Sequence, residues 1–131
     1  MSNKKEIRKK FKKSVFKRDN YTCVWCGEGP FGHLSEEYLD AHHITDRSEM
    51  PNGGYVKENG IALCKKAKGI SFIDGEDGLP DIEIDDESCH MKAEKFHISD
   101  GLEWNENMHP DDLYKLIGSS KELAIKESEK L

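Results

Sequence analysis

Leu39-Asp40-Ala41-His42-His43-Ile44, followed after a polar loop by Asn59-Gly60-Ile61-Ala62-Leu63-Cys64, is the pair of stretches on which the reading of this chain turns. Both are short and mostly apolar. The turn formers Pro51-Asn52-Gly53-Gly54 lie between them. Such a pair reads as two strands, 39–44 and 60–64, joined into a hairpin by a loop longer than a tight turn.

Working outward, Ile7, Phe11 and Val15 recur at a spacing of four with Phe16 beside them. That is one apolar stripe on a helix of about three turns, with Lys and Arg on its other faces. Arg18-Asp19-Asn20 reads as its end. Tyr21-Thr22-Cys23 is strand-like and turns at Cys26-Gly27, and residues 27–37 read as loop. On the far side, Ser88 can cap a helix over 89–97. Pro110 opens a helix carrying Leu113, Leu116 and Ile117, ended by Gly118. Ser120 can cap a last helix over 121–130. The expected fold class is α+β in a single domain, 1–131. It comprises a basic helix in 1–20, a hairpin-and-helix core in 21–99 with an acidic insertion at 65–88, and C-terminal helices in 100–131.

The chain has 131 residues, 35% of them hydrophobic and 35% charged, with a mean hydropathy of -0.81. A core this thin gains from a staple such as a structural metal. No run approaches the roughly 18 apolar residues that span a membrane. The basic N-terminus has no apolar stretch behind it and does not read as a secretory signal. A cytoplasmic, reducing location is expected, in which the four cysteines are thiols or metal ligands rather than disulfides. The net charge is -6, yet residues 1–18 hold nine Lys and Arg against the single acid Glu6. Residues 70–88 hold eight acids and no base. A basic arm beside a cysteine cluster points to a polyanion. The acidic stretch reads as a solvated loop, as a small hairpin over Asp81–Asp85, or as carboxylates that occupy a DNA groove when substrate is absent.

Cys23 and Cys26 form a C-x2-C pair, which supplies two thiolates to one tetrahedral zinc. Cys64 ends the second strand and Cys89 opens the following helix, so four cysteines complete one site most economically. Two alternatives stay open. Cys23 and Cys26 can serve as a thiol–disulfide pair, or histidines can complete the zinc site in place of Cys64 and Cys89.

His42-His43, Asn59 and His90 then fall in order. Phosphodiester hydrolysis needs a base to deprotonate water, and neutral His suits that at neutral pH. It also needs a cation beside the charged oxygens. The set Cys23-x2-Cys26, Leu39–Ile44, Asn59–Cys64 and Cys89-His90-x3-Glu94 closely resembles the HNH endonuclease family in its four-cysteine form, over roughly residues 11–97. The resemblance implies a ββα-metal fold: a hairpin and a helix around one catalytic divalent cation, Mg2+ or another. By position, His43 is the general base, and His42 and His90 are ligands of that cation. Asn59 fixes the loop and orients the base, or touches the cation. Cys23, Cys26, Cys64 and Cys89 hold the structural Zn2+. The family closes its second cysteine pair as C-x2-C-H, whereas here residues 65–88 intervene. His97 therefore becomes a possible substitute or added ligand.

The implied activity is metal-dependent hydrolysis of DNA. Phosphate contacts would come from Lys12, Lys13, Lys17, Arg18 and Arg47. A zinc-stapled nucleic-acid-binding module without catalysis would use the same cysteines and basic arm, but has no need of the His and Asn set. A redox or metal-sensing protein would use Cys23 and Cys26. No heptad seam or large apolar patch calls for an obligate protein partner, and the sequence leaves the oligomeric state undetermined.

Overall fold

The computed structural model describes residues 4–65 and 88–131. The acidic stretch, and with it the three readings of that stretch, lies outside the described residues. Among the described residues, five α-helices and one two-stranded sheet follow in chain order: α1 (Lys4–Arg18), α2 (Ser35–Tyr38), β1 (Leu39–His43), β2 (Gly60–Cys64), α3 (Cys89–Ile98), α4 (Pro110–Leu116) and α5 (Lys121–Ser128). The fold is a small α+β arrangement. Among the described residues no helix is long and apolar enough to cross a membrane.

The hairpin is the centre. β1 and β2 pair antiparallel, with Leu39 opposite Cys64, Ala41 opposite Ala62 and His43 opposite Gly60. Every residue of β2 is buried. α1 covers the hairpin with Phe11, Val15 and Phe16, while Ile7, on the same stripe one turn earlier, stays half-exposed. Gly60 lets the helix approach: a Cβ there would stand 2.5 Å from Val15 Cγ2 and 2.7 Å from the Phe11 ring. Two side chains at the end of α1 fasten it. Asp19 Oδ2 accepts from Ala62 N at 2.9 Å, and the Arg18 guanidinium donates to the carbonyls of Lys57 and Gly60.

The capping expectations have direct counterparts. Ser88 Oγ accepts from Met91 N at 3.2 Å and Ser120 Oγ accepts from Leu123 N at 3.1 Å. Pro110 opens α4 behind His109, whose Nδ1 accepts from Asp111 N. Two expectations need correction. Tyr21–Cys23 is not a strand: Cys23 N bonds to Glu28 O and Gly27 N to Cys23 O, so the segment closes on itself as a knuckle. It touches the sheet through Val24 N and Ala62 O. Residues 27–37 are not all loop, because Gly32–Leu34 form a 3-10 turn that runs into α2.

Candidate functional site

The knuckle, the end of β2 and the start of α3 meet at the four cysteines. Their ligand atoms lie within 4.8 Å of one another, and Cys26 Sγ is 4.0 Å from Cys64 Sγ. Four thiolates around a zinc at about 2.3 Å stand roughly 3.8 Å apart, so this set could hold one zinc ion. Cys89 N donates to Cys64 Sγ at 3.4 Å, the kind of amide–sulfur contact that favours a thiolate. The Cys89 thiol beside Cys23 lowers Cys23 to about 5 against the opposing effect of burial, and the same contact pushes Cys89 up. Burial raises Cys64. Four sulfurs this close ionise together only with a cation among them. All four belong to one cluster, so the alternative in which histidines replace Cys64 and Cys89 lacks a geometric basis.

One residue along, a second group forms. His42 on β1 and His90 and Glu94 on α3 bring their ligand atoms within 4.8 Å of one another. Residues i and i+4 share a helix face, which is how His90 and Glu94 come to point the same way. His42 is fully buried among the α3 side chains, with ring centroids 5.3 Å from both His90 and His97. A Glu94 carboxylate oxygen lies 3.2 Å from His42 Nδ1, which makes no hydrogen bond beyond this ion-pair contact. His90 Nε2 lies 3.1 Å from Asp40 Oδ2, while its Nδ1 is buried without a partner. A proton on Nε2 toward Asp40 would leave Nδ1 presenting a lone pair, the usual arrangement for a metal-binding imidazole.

Burial pushes the His42 imidazolium down, with Glu94 working in the opposite sense. The neighbouring His42 holds the Glu94 carboxyl below the usual glutamate range. A neutral imidazole and an ionised carboxylate are the protonation states a cation needs. Buried polar groups are normally paired. Of the buried side-chain polar atoms left without a partner among the described residues, three are imidazole nitrogens of His42, His43 and His90. All three residues line one cleft, where a ligand could be the partner of these nitrogens. Two imidazoles and one carboxylate suit a transition-metal ion better than Mg2+, which prefers an all-oxygen shell.

Adjacent strand residues face opposite ways, and His42 and His43 do. The His43 ring stacks on Phe11, with centroids 4.6 Å apart, and meets Tyr55 edge-on at 4.8 Å. Both histidines nevertheless line one cleft of about 300 Å³ at the end of β1, together with Asp40, Asp46, Arg47, His90 and Glu94. Burial, aided by the neighbouring His42 and by the Arg47 cation, lowers His43 to about 4, so the ring is neutral at physiological pH.

Asn59 sits elsewhere. Its Oδ1 accepts from Thr45 N at 3.0 Å and Tyr114 Oη at 2.7 Å, and its Nδ2 donates to the carbonyls of Thr45 and Gly54. Those four bonds exhaust the amide. Of the two roles expected for Asn59, its geometry is that of fixing the loop, and no atom is left for a cation. His97 is not part of the His42–His90–Glu94 group; its Nε2 bonds to the His43 carbonyl at 2.9 Å, which ties α3 to the end of β1. Arg18, expected at the DNA surface, is committed to Asp19 and to backbone carbonyls. Lys13, Lys17 and Arg47 are exposed and Lys12 is half-buried.

Sequence reasoning assigns no role to three residues. Glu94 was legible in the His90-x3-Glu94 spacing, and Asp40 in its period-2 relation to His42. Tyr114, whose hydroxyl joins Asn59 and Thr45 in the buried loop network, lies 55 residues from Asn59 and carried no local signal. Comparison with protein-family models, with curated proteins and with solved structures finds no match.

Proposed function

We propose that the protein is a metal-dependent DNA endonuclease of the HNH type, with a zinc-stapled ββα-metal core. The observation that carries this reading is the single cleft shared by His43 and the His42–His90–Glu94 group. A zinc staple alone would account for the cysteines but leaves three buried imidazole nitrogens unexplained.

In this reading His42, His90 and Glu94 hold a divalent cation, which when bound acts as a Lewis acid toward the phosphoryl and leaving oxygens. His43 takes the proton of the attacking water, and its burial keeps the ring neutral and ready to accept. Phe11 and Tyr55 hold that ring between them. Asp40 keeps His90 in the tautomer that exposes Nδ1. His97 anchors the backbone beneath His43. Arg47 stands at the cleft, where a phosphate oxygen would meet a guanidinium. Lys12, Lys13 and Lys17 add phosphate contacts that set affinity rather than sequence.

The test is plasmid cleavage by zinc-loaded wild type and His43→Ala, each checked for fold by circular dichroism and for zinc content. Mn2+, Mg2+ and no added metal are compared. Wild type should cut with Mn2+ at least as well as with Mg2+, and His43→Ala should lose roughly two orders of magnitude or more. Absence of cutting by folded, zinc-loaded wild type on plasmid, single strands and branched DNA would leave the non-catalytic nucleic-acid-binding module as the reading.

A further inference from the structure

A second groove, of about 390 Å³, opens between α1 and the loop of residues 47–55. Lys4, Arg8 and Arg47 line it together with Ile7, Gly53 and Tyr55, and no carboxylate does. In a chain whose net charge is -6, three cations around one hollow without an acid among its lining residues are a local exception. They describe an anion's surroundings.

Tyr55 organises this wall. The Arg8 guanidinium carbon lies 5.8 Å from the Tyr55 ring centroid, and Arg47 Nη1 donates to the Tyr55 hydroxyl at 3.3 Å. The ring is held against the loop at Gly53, where a Cβ would stand 2.6 Å from Tyr55 Cε2. Two guanidinium groups are thereby gathered on one aromatic side chain. Guanidinium forks bind phosphate oxygens in pairs. Beside them, Ile7 and the Tyr55 ring give the groove an apolar side, which suits the face of a base.

Continuity with the histidine cleft identifies the ligand. Arg47 lines both hollows, and the Tyr55 ring meets the His43 ring edge-on at 4.8 Å. A strand with one phosphate in the cleft would therefore reach the groove with its neighbouring residue. The volume lies near the low end of the roughly 300–1,000 Å³ typical of small-ligand pockets, which suits one nucleotide.

We propose that this groove seats one unpaired nucleotide of the DNA strand next to the scissile phosphate, its phosphate between Arg8 and Arg47 and its base against Tyr55 and Ile7. The proposal rests on reading the cleft as a DNA-hydrolysing site. It makes the protein selective for a single-stranded or frayed segment, because a base inside a stacked duplex cannot enter.

The test is fluorescence anisotropy with the zinc-loaded full chain, no added catalytic cation, and one fixed ionic strength, since phosphate contacts are salt-dependent. The probes are a labelled oligothymidylate and a labelled duplex of the same length. Wild type should bind the single strand more tightly than the duplex. Arg8→Gln, on the exposed face of α1, should weaken the single strand by about tenfold, in keeping with the loss of a charge-assisted contact. Lys115→Gln, an equal loss of charge on α4 outside the groove, should change it by less than about twofold. Tyr55→Leu should erase the preference over duplex. Equal effects of Arg8→Gln and Lys115→Gln, a duplex bound as tightly as the strand, or no strand binding by wild type would each overturn the proposal. Cleavage separates the two readings. Cutting by wild type with strand binding unchanged in Arg8→Gln rejects the groove alone. Strand binding lost in Arg8→Gln, with no cutting by wild type, rejects hydrolysis alone.

Discussion

His43 carries its chemistry in its surroundings. Packed between Phe11 and Tyr55, the ring is lowered to about 4 from an ordinary histidine value near 6.5. The unfolded chain therefore binds a proton at His43 as pH falls below about 6.5, and the folded chain does so only near 4. The unfolded state holds more protons across that window, so stability rises with pH through it and falls on acidification. Urea unfolding of the zinc-loaded protein between pH 4.5 and pH 7 should show this loss toward acid, and His43→Phe should flatten it. An unchanged slope in His43→Phe would mean that other groups, such as His42, which burial also lowers, carry the dependence. Asn59 illustrates the opposite use of a polar side chain. Its four bonds serve the loop that follows β1 and no atom of it serves ligand binding.

At the scale of elements, α3 does two jobs from one end. Cys89 opens the helix as a member of the cysteine cluster, and His90 and Glu94 on the same helix face the cleft. α1 reaches the hairpin only because β2 begins with a glycine. Gly60→Ala should lower stability by on the order of 1–3 kcal/mol through overpacking against Val15 and Phe11, read by chemical denaturation. A neutral result would mean that α1 shifts outward without loss. The elements legible in the sequence were those with local signatures. β2 was read to the residue from its apolar run between Asn59 and Lys65, and α3, α4 and α5 from Ser88, Pro110 and Ser120. Only Tyr21–Cys23, at the start of the knuckle, departs from its strand-like reading, because the local sequence does not reveal that Cys23 bonds back to Glu28. The cysteine cluster was legible as spacing. Arg18 also braces the end of α1, and its carbonyl partners lie 39 and 42 residues away with no trace near it in sequence.

For the whole molecule, the apolar share of 35% leaves a modest core. The cysteine cluster joins three segments remote in sequence: the knuckle, the end of β2 and the start of α3. A structural zinc contributes on the order of 10 kcal/mol of apparent binding free energy coupled to folding. One zinc per chain should resist dialysis, and Cys23→Ser should unfold the domain. Circular dichroism with metal analysis checks both, and a folded, zinc-free Cys23→Ser would show that packing alone suffices.

Cys89 and His90 are consecutive residues on one helix, and in the proposed reading this contiguity couples the two ions. Losing the ion held by the cysteines would free one anchor at the start of α3, the element that presents His90 and Glu94. A chelator strong enough to strip the cysteines would silence the histidine cleft from a distance, and returning only the second cation would not revive it. Inactivation by chelation would then be a folding event with a refolding timescale. Recovery would depend on the sequence in which the two ions are restored.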